Sequence, residues 1–149
     1  MRNHYSAFVR VLTVVVSESM LCLDVCHADW PSSNKLVCGE LANQTVVAVA
    51  PDNVAGSFLA WQDMRNGNQD VFAQHVNALG ALQWQTEGVP LCTATGDQRK
   101  VIIAPDGAGG AIFAWMDGRA GVLETDIYAQ RINAAGTALW APEIGRAHV

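Results

Sequence analysis

Residues 104–119 read Ala-Pro-Asp-Gly-Ala-Gly-Gly-Ala-Ile-Phe-Ala-Trp-Met-Asp-Gly-Arg, and this stretch decides the fold. Pro105 closes one strand, because proline cannot donate to a ladder. Residues 106–110 form a turn in which glycine permits positive φ. Residues 111–115 then run apolar at every position. A sheet with one wet face alternates instead, so this strand is expected to be covered on both sides.

The same pattern occurs 54 residues earlier. Trp30 aligns with Trp84, Cys38 with Cys92, Gln44 with Gln98, and Ala50-Pro51-Asp52 with Ala104-Pro105-Asp106. Gly56 aligns with Gly110, Trp61 with Trp115, Asp63 with Asp117 and Arg65 with Arg119. From Trp30 to Gly67, 13 of 38 positions are identical. Two extra residues then lengthen the second copy, and the offset becomes 56. Asp70 aligns with Asp126, Gln74 with Gln130, Asn77 with Asn133, Gly80 with Gly136 and Trp84 with Trp140, within a stretch where 7 of 15 positions match. Self-similarity at a fixed period is the mark of a repeat architecture.

Each unit reads as four short strands. They are expected at residues 46–50, 57–61, 70–76 and 82–84, and again at 101–104, 111–115, 126–132 and 138–140. No segment has helical periodicity. Asn77 to Gly80 and Asn133 to Gly136 read as tight turns closed by glycine. The insertion falls in the loop after Asp117, where length changes cost least.

These residues, together with Asp-Ile-Tyr-Ala-Gln-Arg-Ile-Asn-Ala-Ala-Gly-Thr-Ala-Leu-Trp at 126–140, resemble the blade repeats of secreted bacterial β-propeller proteins. The resemblance implies an all-β fold of antiparallel four-stranded blades, about two blades of an incomplete propeller. The alternative is a two-sheet β-sandwich made by pairing the two copies. Sialidases are also secreted propellers, but their Ser-x-Asp-x-Gly-x-x-Trp spacing is not matched by residues 104–115, so their chemistry does not carry over.

The chain divides into an export signal (1–28), a first repeat with a preceding outer strand (29–92), an incomplete second repeat (93–142) and a tail (143–149). Arg2 and Arg10, an apolar run after Arg10 and the Cys26-His27-Ala28 end carry the signal reading, which places the protein outside the cell, in a periplasm or at a cell surface. The tail, Glu-Ile-Gly-Arg-Ala-His-Val, resembles the translation of a sequencing adapter and breaks the repeat. Two units cannot close a ring and leave apolar strands exposed on their outer faces, so the chain is expected to be marginally stable, to self-associate or to depend on neighbouring repeats of the same protein.

Composition narrows the chemistry. Of the chain's residues 50% are hydrophobic and 15% charged, which excludes a disordered polymer. The formal net charge is −5, and the region between signal and tail holds six basic residues against eleven acidic. With no basic stripe, nucleic acid is not an expected partner. No run of residues is long and apolar enough for a membrane span.

Asp63 with Arg65, and Asp117 with Arg119, are the candidate site, since two copies of one arrangement suit a sugar or a cation. Structural use is the stronger reading: an Asp after a strand bonds loop amides, and the Arg pairs with it or with Asp70 and Asp126. Trp61 and Trp115 are expected between blades. Trp84 and Trp140 lie near the outer strand, with core the favoured place for all four. Cys38 and Cys92 read as small buried hydrophobes, and His75, replaced by Arg131 in the second copy, as an exposed strand residue. Calcium needs about six to eight oxygens, and neither Asp106 nor the group Asp117, Glu124, Asp126 has an EF-hand pattern. No zinc, nucleophile or phosphate-loop motif occurs, and no cofactor is implied. The leading reading is a non-catalytic scaffold or interaction module for glycan or protein. The alternative is the propeller of a glycan-active enzyme whose catalytic residues lie outside this chain.

Overall fold

The computed structural model describes residues 34–121 and 124–140. The expected export signal, Trp30 and the adapter-like tail lie outside the described residues. Within them the chain is all-β, with seven strands in two antiparallel sheets and no helix. Sheet 1 has the order β1(Gln44–Pro51), β2(Ser57–Asp63), β3(Asp70–Val76), β4(Val89–Cys92). Sheet 2 has the order β5(Gln98–Pro105), β6(Ala111–Asp117), β7(Asp126–Ile132). Every strand pairs with its chain neighbour, so each sheet is a simple meander.

The two copies agree in detail. The register shifts between Thr45 and Ala48 in β1, and between Arg99 and Ile102 in β5. A bulge at one repeat position bends both first strands alike. Asp52 and Asp106 close the first hairpins: Oδ1 of Asp52 accepts from the Val54 and Gly56 amides at 2.8 and 2.7 Å, and Asp106 treats Ala108 and Gly110 at 2.8 and 2.9 Å. Gly56 and Gly110 are required by space, since a Cβ there would lie 2.5 Å from the Val76 carbonyl oxygen and 2.2 Å from that of Ile132.

The fourth strand differs from expectation. Residues 82–84 and 138–140 form only isolated bridges, Val76 to Leu82 and Ile132 to Ala138. The true fourth strand of sheet 1 is β4, which starts seven residues further on, at Val89. Its Val-Pro-Leu-Cys reads as loop because of Pro90, which is tolerated here because β4 is an edge strand. The expected outer strand preceding repeat 1, around Trp30, lies outside the described residues, and the described residues 34–43 form no strand.

Cross-strand partners share a face, so each sheet has two distinguishable sides. On sheet 1 the front carries Ala50, Phe58, Ala60, Val71 and Ala73, and the back carries Val49, Leu59, Trp61 and Asp63. On sheet 2 the front carries Ile102, Ile112, Ala114, Met116 and Ile127, and the back carries Ile103, Ala111, Phe113, Trp115 and Asp117. The hydrophobic core joins the front of sheet 1 to the back of sheet 2, with Trp84, Val89 and Leu91 between them. Unlike faces therefore meet. The middle strand β2 is largely covered on both sides, as its composition suggests. Its counterpart β6 is buried on one side and half-buried on the other, at Ile112, Ala114 and Met116.

Phe113 is fully buried and Ile102 is 67% exposed. Phe113→Ala is expected to cost about 3–5 kcal/mol in urea unfolding, and Ile102→Ala less than about 0.5 kcal/mol. Equal losses would mean that the core does not lie between the unlike faces.

Candidate functional site

At the end of β2 the chain leaves a buried carboxylate. The Asp63 side chain is fully buried on the back of sheet 1. Its Oδ2 accepts from Trp61 Nε1 at 3.1 Å and from Arg65 Nη2 at 2.6 Å, and its Oδ1 from the Arg65 amide at 2.9 Å. Arg65 also donates from Nη2 to the Glu87 carbonyl at 3.1 Å and lies 3.3 Å from Cys38 Sγ. Its guanidinium sits 3.8 Å over the Phe72 ring, an arrangement favoured by the ring quadrupole.

The second copy repeats the indole, amide, guanidinium, thiol and ring contacts. Asp117 accepts from Trp115 Nε1 at 3.0 Å and from the Arg119 amide at 3.0 Å. Arg119 grips both carboxylate oxygens, Nε to Oδ1 at 2.9 Å and Nη2 to Oδ2 at 2.7 Å. Cys92 Sγ lies 3.2 Å from Arg119 Nη2, and the guanidinium stacks 3.9 Å over Tyr128. Cys92 belongs to β4 of sheet 1, whereas Asp117 and Arg119 belong to sheet 2. The cluster is thus a polar tie from the edge of one sheet to the next. Cys38 makes the same tie to sheet 1 from the segment before β1.

The cysteines are therefore more than small hydrophobes. Both are free and half-buried, and burial pushes their thiols up from the ordinary value. Asp70 does not pair with Arg65. It is fully buried and accepts from the Asn66 and Asn68 side-chain amides at 2.6 and 2.8 Å. Asp126 begins β7, cross-strand from Asp117.

His75 is not exposed. Its ring stacks on Phe58 with centroids 4.5 Å apart, and Nε2 lies 2.9 Å from Asp52 Oδ2. Arg131 takes its place in sheet 2, with Nε 2.8 Å from Asp106 Oδ2. Position 75 is a clamp on the hairpin turn, which either cation-capable side chain supplies. Trp61, Trp115 and Trp84 are buried at 3%, 4% and 6% exposure, and Trp140 is half-buried. Trp84 stands between the sheets, 5.7 Å from Phe58 and 6.2 Å from Phe113, and donates from Nε1 to the Ala134 carbonyl at 3.1 Å.

Gln74 and Gln130 align between the copies, but the sequence alone assigns them no role. Gln74 accepts from the His75 and Trp84 amides and donates to the Gln85 carbonyl, and Gln130 does the same for Arg131 and the residue 140 backbone. Their identity across the copies, inside strands where apolar residues dominate, was the available signal.

An open groove of about 440 Å³ lies beside Arg119, Tyr128, Gln130 and Trp140. In sheet 1 the matching place over Trp61 and Arg65 is closed by Glu87 and Gly88, whose Cβ would sit 2.5 Å from the Trp61 ring. Among the described residues, no three His, Cys, Asp or Glu side chains form a metal-ligand group. No helix among the described residues is long and apolar enough to cross a membrane. No family model matches the chain, and neither does any curated protein or solved structure.

Burial raises the Asp63 and Asp117 carboxyls, but the hydrogen bonds from Arg65 or Arg119 and from the adjoining indole outweigh it, and both end below the ordinary value. Such groups stabilise the fold above the ordinary carboxylate range and lose that contribution as pH falls through their depressed values. Asp70 has the opposite sign: burial holds its value up, so its contribution is present in acid and lost as pH rises through it. Stability is expected to fall on acidification below about pH 4. Asp117→Asn should cost about 1.5–3 kcal/mol at neutral pH and flatten that acid limb. Urea midpoints measured across pH check both, and an unchanged acid limb in the variant counts against the assignment.

Proposed function

We propose that the chain is a run of β-propeller blades acting as a non-catalytic scaffold and interaction module of an exported protein, its loops serving glycan or protein recognition. The observation that carries this reading is the use made of the chemically capable residues. The Asp63 and Asp117 carboxylates are engaged by their own arginine and indole neighbours in both copies, and of the two arginines only Arg65 keeps a buried nitrogen, Nε, without a partner. Catalytic groups need lone pairs or protons free to meet substrate, whereas these are committed to tying the segment before β1 to sheet 1 and the edge of sheet 1 to sheet 2. Duplication of the whole cluster fits scaffolding, because each sheet needs its own tie. The blade reading is supported by two like meanders stacked in the same orientation, a geometry that further units can continue.

The test is a polysaccharide panel with the full chain, read for new reducing ends and, in parallel, by glycan array. The expected result is retention on some glycans or none, with no release of reducing ends, and Asp117→Asn changing stability without changing the array profile. Release that vanishes in a folded Asp117→Asn variant would overturn the scaffold reading in favour of a glycan-active enzyme.

A further inference from the structure

Several apolar repeat positions are buried in one copy and exposed in the other, and the exchange has a direction, although Trp61 with Trp115 and Val76 with Ile132 are buried in both. On the front face, Val71 is 0% exposed in sheet 1 and its counterpart Ile127 is 56% exposed in sheet 2. Ala60 is fully buried and its counterpart Ala114 only half-buried. On the back face the order reverses: Val47 is 60% exposed in sheet 1, and its counterpart Val101 is 4% exposed in sheet 2. Val49 is 64% exposed, whereas Ile103 packs against the core. The buried members are the ones that make the interface between the sheets. The exposed members are the same two surfaces without a partner.

We propose that a second copy of this chain docks the back of its sheet 1 onto the front of sheet 2, repeating between molecules the interface that joins the two sheets within one. The two bare surfaces are homologues of two surfaces that already fit each other. Neither is self-complementary, since front meets back inside the chain. The contact is therefore heterologous, head to tail. The segment before β1 does not obstruct it. Cys38 lies against Asp63 as Cys92 lies against Asp117, so that segment holds the place which β4 holds at the internal interface. The inference rests on the stacked-blade reading and is independent of what the loops bind.

The experiment is sedimentation of the full chain over a wide concentration range, with two variants at exposed positions. Val49→Asp disables the back of sheet 1 and Ile127→Asp the front of sheet 2. Both side chains are solvent-exposed, so circular dichroism and melting should match the parent, with Val47→Ser and Ile102→Ser as milder substitutes. The parent is expected to reach the mass of two or more copies as concentration rises. Each variant alone should stay monomeric to at least tenfold higher concentration. An equal mixture of the two should restore a species of two copies and nothing larger, because one intact back then meets one intact front. A monomeric parent overturns the proposal, as does a mixture that fails to pair. Loss in Ile127→Asp with full association in Val49→Asp would mean that like faces meet, which also overturns it. None of these outcomes touches the scaffold reading, which the reducing-end and array measurements decide separately.

Discussion

The placement of one indole underlies the architecture. Trp84 fills the space between Phe58 on the front of sheet 1 and Phe113 on the back of sheet 2, with His75 at its side. Its polar edge is not wasted, since Nε1 reaches the Ala134 carbonyl in the turn after β7. Gly136 lets that turn come so near that a Cβ would lie 2.9 Å from the ring. A tryptophan buried with a satisfied N–H contributes both area and orientation. It fixes how far apart the sheets stand and which way they face.

Around that apolar centre, the polar residues that are identical in the two copies have structural tasks, most of them on the backbone. Asp52 and Asp106 hold the first hairpin turns, and Asn77 and Asn133 hold the turns after the third strands through amides two and four residues on. Gln74 and Gln130 satisfy the chain that returns past them. Asp63 and Asp117 tie the ends of the middle strands to an arginine and, through it, to a cysteine, Cys38 in the segment before β1 and Cys92 on the edge strand β4. A buried polar group is costly when unpaired and specifying when paired. Apolar positions tolerate exchange, as Phe58 with Ile112 or Val71 with Ile127 shows, while these anchors do not vary.

Much of this is legible in the sequence. The duplication, the all-β class and the third strands at 70–76 and 126–132 follow from periodicity and turn residues alone. Two features did not. The fourth strand was placed on residues 82–84 because Leu82 and Trp84 are apolar, whereas Trp84 serves the space between sheets rather than a ladder. The real edge strand hides behind Gly88 and Pro90, which read as loop in any local window. His75 looked exposed because its partner in the alignment is Arg131, and an exchange of His for Arg suggests solvent. The shared partner is instead a carboxylate in the turn 23 residues earlier, a contact that only the hairpin geometry brings together.

The asymmetry of the stack limits which larger architectures are open to such a unit. Two sheets that met through like faces would bury their best apolar surfaces at once and leave polar exteriors, a closed sandwich with nothing further to add. Here front meets back, so every burial leaves one front and one back uncovered, however many units are stacked. Adding sheets moves the bare surfaces apart without removing them. Only closure of the series on itself, or a partner carrying the complementary face, takes them out of water. On the docking proposed above, a duplicated sheet of this kind is a monomer of an assembly in the polymer sense. The apolar cost of its two ends, Ile102 and Ile127 at one and Val47 and Val49 at the other, is the force that drives the next contact.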